Sequence, residues 1–246
     1  EREKYRTLGG YFVMTRDYEK AVENYEMLIA RYPADTAGHA NLALAHFNLL
    51  NFQKADEEGR KAEKILPTSV KFTSNNSLYA MYAGNFAASA VQANTIITLD
   101  PKSYVAYLPL AIAELAAGNA DAARDAYIRM AGTDSTGQSV AAMGLADLAL
   151  YQGRPADARA ILENAVVEDV RTGNTGGVIS KYVAIAETWG LEGRKAEALA
   201  AAKEAVAGGR DETALLPAAR IFLAAGKGAE ARGFSVELEK QVRKAA

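Results

Sequence analysis

The stretch EMLIARYPAD (residues 26–35) runs two turns of good helix formers into a proline, and RKAEKILPTS (60–69) and NTIITLDPKS (94–103) end the same way. Proline has no amide hydrogen and pushes the residue before it out of the helical region, so each of these prolines closes a helix. Pro33, Pro67 and Pro101 stand 34 residues apart. A fixed period of that length marks a repeat architecture, in which one unit buries too little surface to be stable alone and must stack on its neighbours.

Laying the chain out on this period, with position 1 at Arg2, exposes a second regularity. The first row reads Tyr5, Leu8, Gly9, Phe12, Ala21, Tyr25, Leu28, Pro33, and the second His39, Leu42, Ala43, His46, Ala55, Gly59, Ala62, Pro67. Large residues recur at positions 4, 7 and 11, and small ones at positions 8 and 20. The third row departs from this in its first helix, with Thr73, Asn76 and Ser77 at packed or small positions. The fourth row keeps Tyr107, Leu110, Ala111, Ala123, Tyr127 and Met130, with Ser135 where proline would stand. Apolar residues at i, i+3, i+4 and i+7 place a stripe on each helix, and the small positions let two helices approach closely.

These landmarks resemble the tetratricopeptide repeat, a 34-residue helix–turn–helix unit, and the resemblance runs from Arg2 to the end of the chain. It implies an all-α fold, a right-handed αα superhelix or solenoid, forming a single domain over 1–246. Its hairpins fall at 2–35, 36–69, 70–103, 104–137, 139–172, 179–211 and 212–245. The last three carry Leu145, Ala146 and Ala158; Tyr182, Ile185, Ala186, Trp189 and Ala198; and Leu215, Ala219, Phe222 and Ala231 at the landmark positions. Turns such as TRD (15–17), AGN (83–85 and 117–119), QGRP (152–155), EGR (192–194) and AGK (225–227) fall at equivalent places, mostly with Gly or Asn at a helix C-cap. Thr15 and Leu50 show that this cap is not obligatory. Two joints differ: AGTDSTGQ (131–138) lacks proline, and EDVRTGNTGGVIS (168–180) is a Gly-rich insertion at which a bend is expected. No strand precedes it and no Lys-Ser or Lys-Thr pair follows, so it reads as a connector and not as a phosphate cradle.

Composition agrees with a helical protein. Half of the 246 residues are apolar, with twenty glycines and six prolines, and the net charge of −2 gives no bias toward nucleic acid or an anionic membrane. The absence of cysteine excludes disulfides, thiolate metal sites and a cysteine nucleophile, and leaves the compartment open. The most apolar stretch, YVAYLPLAIAELAAG (104–118), is too short to span a bilayer and contains Pro109 and Glu114. The chain opens at Glu1 without methionine, which reads as a piece of a longer or processed protein. EREKY and YEKAVENYE (18–26) resemble repeat regions attached to bacterial kinase-like regulators.

No nucleophile, base and orienter can be assembled from this sequence, so no catalytic residue, metal or cofactor is expected. His39 and His46 are the only histidines; seven residues apart, they sit two turns from each other at positions 4 and 11 and read as packing residues. Acidic residues in DYEKAVENYE (17–26) and KADEEGRKAEK (54–64) alternate with Lys and Arg at i, i+4, the pattern of a solvated face.

In the tetratricopeptide family the first helix of each hairpin lines a concave groove, with positions 2, 5, 6, 9, 12 and 13. The resemblance therefore implies a peptide site comprising Arg6, Asn41, Phe47, Lys71, Leu78, Met81, Tyr82, Leu108, Ile112, Met143, Leu150 and Tyr151. Family members that bind chaperone C-termini hold the carboxylates with Lys, Asn, Asn, Lys and Arg; here Arg6, Gly10, Asn41, Lys71 and Asn75 stand at those places. Gly10 and Asn75 break the clamp and leave Arg6 with Lys71 as a cation pair for an acidic peptide end. The apolar middle is either an exposed interaction surface or is closed against neighbouring first helices. The leading expectation is a non-enzymatic interaction scaffold that binds a peptide or protein segment, with no nucleic-acid or membrane partner and with homodimerisation open through its uncapped N-terminal end. The alternative is a regulatory or sensory domain of a larger kinase-like, transferase or transcriptional regulator.

Overall fold

The computed structural model describes residues 1–67 and 69–245. Among these residues there are fourteen α-helices and no strand. They are α1 (Arg2–Met14), α2 (Tyr18–Arg31), α3 (Thr36–Asn48), α4 (Phe52–Ile65), α5 (Val70–Tyr82), α6 (Phe86–Leu99), α7 (Tyr107–Ala116), α8 (Ala120–Ala131), α9 (Ser135–Tyr151), α10 (Pro155–Thr172), α11 (Thr175–Leu191), α12 (Lys195–Gly208), α13 (Glu212–Ala224) and α14 (Gly228–Ala245). The chain packs as two compact units, Glu1–Arg129 and Met130–Ala246. In the N-terminal unit successive helices from α1 to α7 touch in order, and the first helices α1 and α3, and α5 and α7, also touch. In the C-terminal unit the same holds from α9 to α14, with α9 against α11 and α11 against α13. This is the packing of stacked αα-hairpins.

The small positions explain how the hairpins close. Position 8 (Gly9, Ala43, Ser77, Ala111, Ala146, Ala186, Ala219) and position 20 (Ala21, Ala55, Ser89, Ala123, Ala158, Ala198, Ala231) are buried in all seven. A Cβ at Gly9 would fall 2.6 Å from the Tyr25 ring, so glycine is required where that ring crosses α1. In the third hairpin both positions are serine, and the two bond reciprocally: Ser77 Oγ donates to the Ser89 carbonyl at 3.0 Å, and Ser89 Oγ to the Ser77 carbonyl at 2.9 Å. These two serines are thus satisfied inside the hairpin, while Asn76 Nδ2 donates to Glu63 of the preceding hairpin at 3.0 Å and its Oδ1 is buried without a partner.

Helices α2, α4 and α6 each end two residues before their proline. Aspartates 17, 35 and 134 and Ser69 cap the helices that follow by accepting from backbone amides. Pro109 cannot donate to the residue four before it, and α7 is accordingly entered through a single 3-10 turn, Tyr104–Ala106. Without a proline near residue 135, α9 starts there and runs for 17 residues. The Gly-rich joint is shorter than its sequence suggests, because α10 extends to Thr172, Gly173 closes it in the left-handed region and Asn174 caps α11. Only those two residues lie outside a helix, so most of the insertion is absorbed as extra helical turns.

Candidate functional site

The first-helix face of the N-terminal unit is partly committed to its own fold. Asp35, buried at the N-cap of α3, accepts from Arg6 Nε at 3.1 Å and Nη2 at 3.0 Å, from Arg2 Nε at 2.7 Å and from the Gly38 amide at 2.8 Å. Burial by itself raises its pKa, but the Arg6 and Arg2 hydrogen bonds outweigh this and hold the carboxyl below its ordinary range. The Arg6 guanidinium is correspondingly stabilised in its charged form by that bond. Burial pushes the Tyr25 phenol pKa up. Of the polar groove residues expected from the sequence, Arg6 therefore has a partner within the fold. Lys71 is exposed, and no hydrogen bond or ion pair engages it among the described residues.

The apolar groove residues separate into two kinds. Phe47 is half-buried and stacks on Phe52, Tyr79 and Tyr82 with ring centroids 5.1 to 5.6 Å apart. Tyr79 lies inside this cluster, where burial pushes its phenol up to about 12, and Tyr82 stands half in solvent at its rim. Leu78, Leu108 and Ile112 are partly exposed. Met81, at 9 % exposure, is buried and offers almost no surface. In the C-terminal unit Met143 and Leu150 lean against the core, while Tyr151 is 81 % exposed.

The histidines are buried as their positions predict, and His39 is also a hydrogen-bonding residue: its Nδ1 meets Glu58 at 2.6 Å and its Nε2 the Pro33 carbonyl at 2.9 Å. The acidic face of α4 is not wholly solvated either, since Asp56 is buried and pairs with Arg60 at 3.2 Å. Among the described residues no three His, Asp or Glu side chains converge as metal ligands, and no helix is long and apolar enough to cross a membrane.

Two clusters in the C-terminal unit escaped the sequence reading. Lys181, Asp169 and Ser139 meet in the interior with Asn174 beside them. Trp189 has the Arg159 guanidinium 3.6 Å and that of Arg194 4.4 Å from its ring centroid, while Arg159 also meets Glu192 at 2.9 Å. Asp147 and Glu187 form a third feature: they share position 9 of α9 and α11, and the Asp147 pKa is raised by burial and by the Glu187 charge. Extending the groove positions to the sixth row would have found Glu187.

The tetratricopeptide repeat profile matches residues 8–70 and 75–137, just over half of the chain, and the chain belongs to that family. Comparison with curated protein sequences gives no match. Among solved structures, a tetratricopeptide repeat protein from Parabacteroides merdae superposes with a TM-score of 0.66 at 18 % identity, covering 97 % of this chain and 92 % of that one. MamA from Desulfovibrio magneticus RS-1 gives 0.61 at 13 % identity over 69 % of this chain and 96 % of its own. PilF of Pseudomonas aeruginosa gives 0.58 at 16 % identity, covering 82 % and 89 %. At these identities the likeness is one of fold.

Proposed function

We propose that this chain is a non-catalytic interaction module that binds a peptide or protein segment on the first-helix face of one or other of its units. The observation that carries this reading is the set of apolar side chains left open at hairpin positions 9, 12 and 13. Tyr82, Leu78, Leu108 and Ile112 lie there or beside them in the N-terminal unit, and Tyr151 and Leu223 in the C-terminal unit. Side chains of this size on the first-helix face of either unit are stabilised by a partner that removes them from water. The engagement of Arg6 by Asp35 supports apolar contact over a carboxylate clamp as the source of affinity.

The reading is tested by selecting ligands from a displayed peptide library against the full chain, then measuring binding to Tyr82→Glu and Leu108→Glu variants by fluorescence anisotropy. Loss of binding with unchanged helical circular dichroism supports the face. Selected peptides that bind both variants as tightly as the parent exclude it. Tyr82 is preferred to Met81 because a glutamate at the buried Met81 would disturb the fold itself.

A further inference from the structure

The first-helix face of the C-terminal unit combines open apolar side chains with unpaired negative charge. Helix α11 lies between α9 and α13 and touches both. At positions 12 and 13 the three helices present Leu150, Tyr151, Leu191 and Leu223, of which Leu191 is 78 % and Leu223 65 % exposed. Position 5 adds Leu216, also exposed. Position 9 holds Asp147 on α9 and Glu187 on α11. Several other acids of this unit are matched: Asp157 with Arg154, Glu168 with Arg171, Asp169 with Lys181 and Glu192 with Arg159. Asp147 and Glu187 have no hydrogen-bond or ion-pair partner among the described residues.

We propose that this face docks a peptide segment in which a lysine or arginine is set between apolar side chains, the cation lying between Asp147 and Glu187. The proposal rests on the reading that the first-helix face is a binding surface, and it supplies the chemistry of the partner. Two like charges at the same position of neighbouring, touching helices attract one cation placed between them and would repel an acidic segment. Arg220 occupies position 9 of the next first helix, α13, so the favourable place for a cation lies between α9 and α11. The apolar side chains at positions 5, 12 and 13 flank that place and suit apolar residues on either side of the cation.

The test uses the full chain and three fluorescein-labelled peptides of Leu, Ala and Ser, identical except for a central Lys, Glu or Gln. By anisotropy the Lys peptide should bind about tenfold or more tighter than the Glu peptide. In the Asp147→Asn/Glu187→Gln variant this preference should collapse while the Gln peptide binds as before. The Asp147→Lys/Glu187→Lys variant should prefer the Glu peptide, a reversal that loss of folding cannot imitate. Equal binding of the Lys and Glu peptides, or a preference that survives both variants, overturns the charge assignment and leaves the apolar face standing. Failure of all three peptides to bind overturns the proposal, and the library selection then decides the face independently.

Discussion

Lys181 donates a hydrogen bond to Ser139 Oγ across 2.7 Å, with the lysine wholly removed from solvent. The same ammonium donates to Asp169, which also accepts from Ser139 at 3.1 Å and from Asn174 Nδ2 at 3.0 Å. The network ties α9, α10 and α11 together at the joint where the repeat spacing is longest. Taking two charges out of water is expensive, and here the bonds from Ser139 and Asn174 add to the pair's own attraction.

Removing one partner leaves the other charge buried without compensation. Lys181→Met is therefore expected to destabilise the C-terminal unit by about 3–5 kcal/mol. Lys181→Met combined with Asp169→Leu should recover a large part of that loss, since an apolar pair needs no desolvation. Urea unfolding followed by circular dichroism measures both. A single variant that costs under about 1 kcal/mol would mean that water reaches the pair.

Asp169 also accounts for one glycine of the joint. A Cβ on Gly177 would lie 2.4 Å from the Asp169 carboxylate and equally close to the Asn174 amide, whereas a Cβ on Gly176 meets nothing within 4 Å. Both residues are in the first turn of α11. Gly177→Ala should cost about 2 kcal/mol or more by displacing the carboxylate from Lys181, while Gly176→Ala should be neutral or stabilising by up to about 1 kcal/mol. Thermal unfolding of the two variants side by side checks this, because a flexible connector would tolerate both alike.

The contrast shows what local sequence can carry. The hairpins were legible because positions 8 and 20 demand small residues wherever two helices cross, and prolines 33, 67 and 101 mark the ends of second helices. The long helices of the C-terminal unit were not, since nothing in TDST or TGNTGG says whether a helix stops or continues until caps such as Asp134 and Asn174 are in place. Lys181 was invisible for a stronger reason. It stands one residue before the landmark Tyr182, and its partners lie 12 and 42 residues away, brought together only when three helices pack. The groove positions did not tell that Asp35 would occupy Arg6 or that Met81 would turn inward.

Stability should fall in acid in two separate windows. Burial, with the Lys54 charge, pushes the His46 imidazole below its ordinary 6.5, although Glu26 and Glu58 oppose this. Between the folded value and 6.5 the unfolded chain binds a proton that the folded chain refuses, so stability declines as pH falls below 6.5. Asp35 is depressed below 3.8, so its contribution is full above 3.8 and is lost as pH falls through its folded value. His46→Phe, a residue type that Phe12 and Phe222 already place at position 11, should flatten the upper window and leave the lower one. Urea midpoints measured from about pH 7 down to about pH 3 resolve the two. An unchanged slope between about pH 7 and about pH 5 in the His46 variant would assign that window to another group.

The seven hairpin turns share one backbone geometry that two of them meet at a cost. Gly84, Gly118, Gly153, Gly193 and Gly226 take φ between 72° and 84°, and at the equivalent places Arg16 and Leu50 take 61° and 60°. In the first turn the left-handed residue is thus Arg16, one place after Thr15. A side chain in that region costs about 1–2 kcal/mol, which glycine avoids at some entropic expense in the unfolded chain. Leu50 is 72 % exposed, so little packing opposes its removal. Leu50→Gly and Arg16→Gly should each stabilise by about 0.5–1 kcal/mol and should add when combined, because the two turns belong to different hairpins. Gly84→Ala, where nothing lies within 4 Å of the added Cβ, should lose about 1–2 kcal/mol for backbone reasons alone. If melting temperatures show Leu50→Gly destabilising while Gly84→Ala also destabilises, Leu50 makes a stabilising apolar contact at its turn that outweighs its strain.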